Sequence, residues 1–127
     1  MDISAKKILI IEDDQFLREF YEELLKAEGY SVDTAPEGET GLLTLSQGGY
    51  DLILLDIMLP KKDGIQILRE LRAKPPARLN GPIVALTNLG QDTVIKQCFD
   101  LGANGYLIKS AMNPDQVLAE IKSYLGK

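Results

Sequence analysis

The amino-acid sequence predicts an α/β fold, a doubly wound sandwich in which helices cover both faces of a parallel β-sheet. Short runs of strand length alternate five times with segments whose apolar residues recur at helical spacing. The first run, Ile8 to Ile11, is continuously apolar, which is typical of a strand buried on both faces of a parallel sheet. A chain of 127 residues has the usual length of one domain, and we expect residues 1–127 to form a single domain.

The first two strand–helix units lie in the amino-terminal part of the chain. The first strand, in KKILIIEDD, precedes a predicted helix in DQFLREFYEELLKAEGY that stops at Gly29. The apolar residues of this helix recur at helical spacing; they are Phe16, Leu17, Phe20, Tyr21, Leu24 and Leu25. The second unit pairs the short strand SVDTA with a helix in PEGETGLLTLSQGG, which opens with Pro36 and closes on Gly48 and Gly49.

Three further units complete the predicted sheet. YDLILLD is the third strand and GIQILRELRA the third helix, and GPIVALT is the fourth strand, followed by a helix in DTVIKQCFDLG that stops at Gly102. NGYLIK is the fifth strand. The last helix has a strong start signal, with Asn113 as N-cap, Pro114 as its first residue and Gln116 at the third position.

Composition excludes several classes of chemistry. The chain contains no histidine, which removes serine hydrolase triads and histidine metal sites, and its lone Cys98 excludes an internal disulfide. We expect Cys98 to be a buried small apolar residue. The net charge of −5 argues against a broad nucleic-acid surface. No apolar run approaches the ~20 residues of a membrane span, and the amino terminus lacks a signal-peptide core, so we expect a cytoplasmic protein.

The polar residues that follow the predicted strands are the candidates for function, because functional side chains in this topology collect at the carboxyl ends of strands. If the first and third strands are neighbours, Asp13 and Asp56 meet in one pocket. We expect Asp14 to be the N-cap of the first helix instead. The remaining candidates follow the first, fourth and fifth strands; they are Glu12, Thr87, Asn88, Lys109 and Ser110.

Glu12, Asp13 and Asp56 would then share one pocket, and three acids so close together require a cation or raised pKa values. Like charges ~4 Å apart repel by roughly 4 kcal/mol at an effective dielectric constant of about 20. Mg²⁺ takes oxygen ligands and commonly needs only one or two carboxylates. A metal ion, Lys109 and the hydroxyl of Thr87 around Asp56 would suit a transferring phosphoryl group, with Asp56 as the nucleophile that forms an acyl phosphate.

The chain resembles the receiver domains of two-component response regulators over essentially its whole length. The matching segments are the acidic pair after ILII, LILLDIMLPKKDG, PIVALT and GANGYLIK. The resemblance implies a flavodoxin-like (βα)5 fold, a parallel sheet of order 2-1-3-4-5 with helices on both faces. It also implies that Asp56 is the phosphoacceptor, and that Asp13, Asp56 and the backbone carbonyl of Met58 bind Mg²⁺ or Mn²⁺, with Glu12 acting through water.

The resemblance further implies a switch. Lys109 and Thr87 would contact the phosphoryl oxygens, and Tyr106 would follow Thr87 inward and alter the surface of the fourth helix, fifth strand and fifth helix. Such a domain is a phosphoacceptor and not a classical enzyme. It would take its phosphoryl group from a sensor histidine kinase or a histidine phosphotransfer protein and regulate a downstream effector protein, with no direct contact to nucleic acid or membrane.

Two positions depart from the family's pattern, and three other functions stay open. Ser110 stands where the family commonly has a proline, often after a cis bond, and Asn88 stands where it usually has a small residue. A receiver-shaped interaction module with impaired phosphorylation is one alternative. A Mg²⁺ phosphohydrolase of the haloacid dehalogenase type is another, although such an enzyme would need an aspartate two residues after the nucleophile, where this chain has Met58. A flavin or dinucleotide site lacks the required glycines after the first strand.

Overall fold

The computed structural model describes residues 5–88, 91–109 and 113–126, a region in which five strands and five helices alternate. The strands are β1 (Lys7–Ile11), β2 (Ser31–Ala35), β3 (Leu52–Asp56), β4 (Ile83–Thr87) and β5 (Gly105–Ile108). The helices are α1 (Gln15–Ala27), α2 (Gly38–Gln47), α3 (Gly64–Ala73), α4 (Asp92–Asp100) and α5 (Pro114–Leu125).

All five strands run parallel in one sheet of order β2-β1-β3-β4-β5. The order reverses direction between β1 and β3, so the condition under which Asp13 and Asp56 were expected to meet is fulfilled. The predicted doubly wound, flavodoxin-like fold is confirmed. Ligands of such sheets bind just beyond the carboxyl ends of the strands at this reversal.

Two separate apolar cores cover the two faces of the sheet, because side chains alternate between faces along a strand. Leu9 and Ile11 of β1 point to the core that contains α2, α3 and α4. Ile8 and Ile10 point to the core that contains α1 and α5. Every residue of β3 is buried, which explains its continuous apolar run and leaves Asp56 as the only charged group of that strand.

Side-chain caps define the start of three helices. Asp14 caps α1 by accepting a hydrogen bond from the Leu17 amide, as predicted. The predicted capping box of Asn113 and Gln116 is formed at α5. An equivalent box between Asp63 and Gln66 starts α3 and was not predicted from the sequence.

Two expectations about helices differ from the structure. Helix α2 begins at Gly38 rather than at Pro36, because Glu37 is still extended. Phe16 has helical spacing with the other apolar residues of α1, yet it is 79% exposed. Tyr21 and Leu25 define the buried face of this helix, and Phe16 lies to one side of that face. Within the described part of the chain, no helix is both long and apolar enough to cross a membrane.

Candidate functional site

Strand register aligns the polar residues that follow β1, β3, β4 and β5 along one edge of the sheet. Ile11 pairs with Leu55, so Glu12 and Asp56 extend one residue further on adjacent strands. Asp56 pairs with Leu86, and Thr87 follows Leu86. Thr87 in turn pairs with Ile108, which Lys109 follows, and the Lys109 amide donates a 2.8 Å hydrogen bond to the Thr87 carbonyl.

Glu12, Asp13 and Asp56 form an acidic cluster at the junction of β1 and β3. One carboxylate oxygen from each lies within 4.8 Å of the others. Glu12 and Asp56 are fully buried, whereas Asp13 is exposed at the rim. Such an arrangement is stable only when the negative charge is offset by a cation or a proton.

The pKa values within the cluster diverge. Burial, together with the nearby Glu12, raises the pKa of Asp56 to about 8. Burial acts to raise the pKa of Asp13 as well, but contacts with Asp56 and Glu12 and the positive charge of Lys109 hold it below its ordinary value. When no divalent cation is bound, Asp56 therefore holds a proton more tightly than Asp13 does.

Lys109 supplies positive charge from the end of β5. Its Nζ lies 2.8 Å from Asp56 Oδ1 and 3.2 Å from Glu12 Oε1. Burial acts to lower the pKa of this lysine, but the two carboxylates outweigh burial and raise it. The side chain is therefore held as an ammonium ion beside the buried acids, where it can contact an oxygen of a group bound to Asp56.

Three buried oxygen atoms of the described residues have no aligned hydrogen-bond donor or acceptor; they are Glu12 Oε1, Asp56 Oδ2 and Thr87 Oγ1. Glu12 Oε1 lies near Lys109 but outside hydrogen-bonding geometry. A buried polar atom without a partner costs about 1–3 kcal/mol, so these atoms are expected to gain partners when the site is in use. Carboxylate oxygens suit a hard divalent cation, and a free hydroxyl suits a phosphoryl oxygen. The residues present therefore fit Mg²⁺ or Mn²⁺.

The turn after β3 holds the Asp56 carboxylate in place. The Met58 amide donates a 3.1 Å hydrogen bond to Asp56 Oδ1, and the Gly64 amide donates to the Ile57 carbonyl at 2.9 Å. A Cβ atom on Gly64 would lie 2.9 Å from the Asp56 carbonyl oxygen, so only glycine lets α3 start this close to the strand. The Met58 side chain itself is exposed.

The turn after β1 is held by both side-chain and main-chain bonds. The Asp14 amide donates to Glu12 Oε2 at 3.0 Å, and the Glu12 amide donates to the Ala35 carbonyl at 3.1 Å. Arg18 donates to main-chain carbonyls of this turn, a contact that the sequence analysis missed. No pattern of side chains in the sequence predicts this contact, because the groups that accept the hydrogen bonds of Arg18 are main-chain carbonyls.

Tyr106 lies away from the acidic cluster, on the outer part of β5. Its side chain is 44% exposed and packs edge-on against Phe99 of α4, with ring centroids 6.2 Å apart. Both rings, together with Tyr124 and Glu120 of α5, line a surface cavity of about 410 Å³. The structure therefore groups the residues predicted to bind and react at the sheet edge and leaves the predicted switch aromatic on a separate surface.

The two positions that depart from the family pattern differ in what the structure describes. Asn88 is exposed, and its amide donates a 3.0 Å hydrogen bond to Gln91 Oε1. Ser110 lies outside the described residues.

Cys98 is buried in the core, as predicted, and burial raises the pKa of its thiol to about 11, so this thiol is inert at neutral pH.

Comparison with protein families and curated sequences gives one consistent result. A family model described as response regulator receiver domain matches residues 8–122. The transcriptional regulatory protein DltR of Streptococcus agalactiae serotype III is 40% identical over 116 residues, which are 91% of this chain and 50% of DltR. The transcriptional regulatory protein ResD of Bacillus subtilis is 34% identical over 121 residues, 95% of this chain and 48% of ResD. The chain thus spans about half the length of these relatives.

Solved structures give the same fold. A CheY-like response regulator receiver domain protein from Methanospirillum hungatei matches with a TM-score of 0.84 and 28% identity, over 97% of this chain and 95% of that one. The receiver domain of the sensor histidine kinase PA1611 from Pseudomonas aeruginosa matches with a TM-score of 0.83 and 28% identity, over 98% of this chain and all of that one. The latter structure has a magnesium ion coordinated in its active-site cleft.

Proposed function

Because this chain belongs to the response regulator receiver domains of two-component systems, we propose that it is a phosphorylation-activated switch whose phosphoacceptor is Asp56. The observation that carries this proposal is the state of the Asp56 carboxylate. One oxygen faces Lys109 at 2.8 Å, and the other is buried without a partner beside two further acids. A carboxylate held this way is costly unless the site binds a cation and a phosphoryl group.

In the proposed reaction, a carboxylate oxygen of Asp56 attacks the phosphorus atom of a phosphohistidine or of a small phosphodonor. The bond from phosphorus to the imidazole nitrogen, or to the acetate oxygen of acetyl phosphate, breaks as the new P–O bond forms. The products are an acyl phosphate on Asp56 and the released leaving group, which takes up a proton where its basicity requires one. Raising the ionised fraction of Asp56 favours this attack, because only the carboxylate is nucleophilic.

Asp13, Asp56 and the backbone carbonyl of Met58 would hold Mg²⁺ or Mn²⁺, with Glu12 acting through water. A bound metal ion would neutralise charge on the phosphoryl oxygens. The magnesium in the related PA1611 receiver supports this assignment. Lys109 would offset the charge of another phosphoryl oxygen, and Thr87 would donate its unpartnered hydroxyl to one of them.

Phosphorylation in solution tests the proposed function directly. After incubation with Mg²⁺ and acetyl phosphate, we expect the intact mass to increase by one phosphoryl group, and to remain unchanged when EDTA removes the metal. The adduct should be lost in hydroxylamine, as expected of an acyl phosphate. An unchanged mass in the presence of Mg²⁺ would contradict the proposal and favour a receiver-shaped interaction module, whereas sustained hydrolysis of phosphomonoesters would favour a phosphohydrolase.

Phosphorylation is proposed to act at a distance, through Thr87 and Tyr106. The Thr87 carbonyl accepts a hydrogen bond from the Lys109 amide, so a movement of Thr87 would also displace the end of β5. With Mg²⁺ and beryllofluoride as a phosphoryl mimic, we expect amide chemical-shift changes at Tyr106 and at Phe99, which packs against it. Fluoride without beryllium is the control. Changes confined to the acidic cluster would indicate binding without switching.

The partners are proposed from the family and from the curated relatives. We propose that a sensor histidine kinase or a histidine phosphotransfer protein donates the phosphoryl group and that the surface of α4, β5 and α5 regulates an effector. The names of DltR and ResD indicate transcriptional regulation by those proteins, each about twice as long as this chain. The cytoplasmic location, the single domain over residues 1–127 and the absence of direct nucleic-acid or membrane contact stay predictions.

A further inference from the structure

We propose that Arg18 is a positioning residue of the metal pocket, an inference that rests on the proposed Mg²⁺-dependent phosphorylation. Arg18 lies on α1, and its Nη1 donates to the Glu12 carbonyl at 3.0 Å and contacts the Asp13 carbonyl at 3.4 Å. These two carbonyls belong to the residues whose side chains form the acidic cluster with Asp56. Arg18 therefore acts on the cluster through the backbone that carries it.

The two contacts control the direction of the Asp13 side chain. Each peptide group is planar, so holding its carbonyl oxygen restricts the orientation of the whole plane. The Glu12 carbonyl belongs to the plane before the Asp13 Cα atom, and the Asp13 carbonyl belongs to the plane after it. Arg18 thus restrains both planes that meet at the Asp13 Cα atom and, with them, the direction of its Cα–Cβ bond.

Asp13 needs this restraint more than the other two acids do. Glu12 and Asp56 are fully buried, and each accepts a main-chain hydrogen bond, from Asp14 and Met58 respectively. Asp13 is exposed at the rim of the pocket, so core packing does not fix its side chain. Mg²⁺ requires nearly ideal octahedral geometry, and the affinity of a metal site depends on the residues that orient its ligands.

The environment of Arg18 indicates that it orients the turn and does not neutralise the acids. Six acidic residues lie within six positions of Arg18 in the sequence, yet among the described residues no carboxylate oxygen forms an ion pair with Arg18; the six are Glu12, Asp13, Asp14, Glu19, Glu22 and Glu23. A cation near the pocket also repels Mg²⁺. If Arg18 acted only through its charge, its removal would tighten Mg²⁺ binding, whereas loss of a positioning residue would weaken binding.

Loss of charge and loss of positioning thus change the Mg²⁺ affinity in opposite directions, and a titration can tell them apart. Mg²⁺ alone is titrated into the protein, and binding is measured by calorimetry and by amide chemical shifts. Arg18→Met removes the charge and the donors, and we expect its Mg²⁺ affinity to fall about tenfold, at the low end of the range for residues that orient metal ligands. Arg18→Lys keeps the charge but not the planar donor group, and we expect a smaller decrease. Arg69→Met is the matched control, because Arg69 is exposed on α3 and should keep wild-type affinity.

A second measurement separates positioning from a general loss of structure. At saturating Mg²⁺, we expect Arg18→Met to be phosphorylated by acetyl phosphate at the wild-type rate, since the metal then orients Asp13 itself. A purely structural role would lower the urea midpoint and leave the Mg²⁺ affinity of the folded protein unchanged. If Arg18→Met does not fold, the Lys variant decides the matter, and wild-type affinity in that variant contradicts the proposal.

The outcomes also distinguish this proposal from the proposed function. Wild-type protein that binds Mg²⁺ and is phosphorylated, together with Arg18→Met of equal or higher Mg²⁺ affinity, would overturn the role of Arg18 alone. Wild-type protein that neither binds Mg²⁺ nor accepts a phosphoryl group would overturn both. Weaker Mg²⁺ binding in Arg18→Met, a smaller loss in Arg18→Lys and no loss in Arg69→Met would support the positioning role.

Discussion

Asp56→Asn is expected to abolish phosphorylation and, at the same time, to stabilise the metal-free protein. The amide of asparagine is not a nucleophile, so no acyl phosphate forms and the intact mass stays unchanged with Mg²⁺ and acetyl phosphate. The same substitution puts a neutral amide in place of a buried carboxylate that the metal-free fold must either protonate or leave charged beside two further acids. We expect the free energy of unfolding to rise by about 1–3 kcal/mol, the range for a buried polar atom that lacks a partner.

The pH dependence of this gain follows from the pKa of Asp56. Burial raises that pKa from 3.8 to about 8, so in the absence of metal the folded protein holds a proton on Asp56 that the unfolded chain releases at lower pH. The wild-type protein therefore loses stability as pH rises from about 4 towards 8, and the asparagine variant does not. Urea unfolding at several pH values in EDTA should show a difference that grows over this interval.

Two results would contradict this account of Asp56. A phosphoryl adduct on Asp56→Asn under the same conditions would place the acceptor elsewhere. A metal-free variant less stable than wild type at pH 7 would mean that the Lys109 ion pair outweighs the repulsion among the acids. Asp51→Asn is a suitable control, because Asp51 directly precedes β3 and accepts a hydrogen bond from the Lys7 amide, away from the cluster.

Lys109→Met is expected to be the most destabilising single change at the site. Its ammonium group is the only cation of the described residues that pairs with Glu12 or Asp56, and both carboxylates are buried. Removing one partner of a buried ion pair costs about 3–5 kcal/mol, because the remaining charge is left uncompensated. Urea unfolding in EDTA should show a loss of this size, whereas Lys96→Met, at an exposed position on α4, should have little effect.

Magnesium should restore part of the stability that Lys109→Met loses. A cation that binds only the folded state stabilises it in proportion to the logarithm of its concentration relative to Kd. Because the pocket of the variant is more negative, we expect a lower Kd for Mg²⁺ and a larger stabilisation by Mg²⁺ than in the wild type. An equal Mg²⁺ response in the two proteins would indicate that Lys109 and the metal do not share the same carboxylates.

Local sequence signals predicted most of the strands and helices, because the start, end and type of each such element depend mainly on residues close to one another in the sequence. The run from Ile8 to Ile11 indicated a strand buried on both faces, and Asn113, Pro114 and Gln116 indicated the start of α5. Asp63 was missed although it has the same capping pattern with Gln66, so the signal was present in the sequence. The exposure of Phe16 was not predictable from spacing, because the apolar residues of α1 span a broad face and spacing does not show which part of that face contacts the sheet.

The candidate site was predicted as a set of strand-end residues, but its geometry required the fold. Strands buried on both faces have nearly the same apolar pattern, so periodicity alone could not assign β1 and β3 as neighbours; the order came from the resemblance to a family. The contact between Lys109 and Glu12 joins residues 97 positions apart. No local signal encodes such a contact, since it depends on the positions of two strands in the sheet.

The sequence by itself determined which chemical groups this protein can use: carboxylates, one lysine and one threonine after buried strands, with no histidine in the chain. Those groups follow from local composition and from strand ends that can be read along the chain. Only the tertiary structure decided that Glu12 and Asp56 are fully buried, that Lys109 reaches both, and that Arg18 holds the carbonyls of the turn. Burial and main-chain contacts depend on the packing of residues distant in sequence, and this packing turns Asp56 from an ordinary acid into one with a raised pKa.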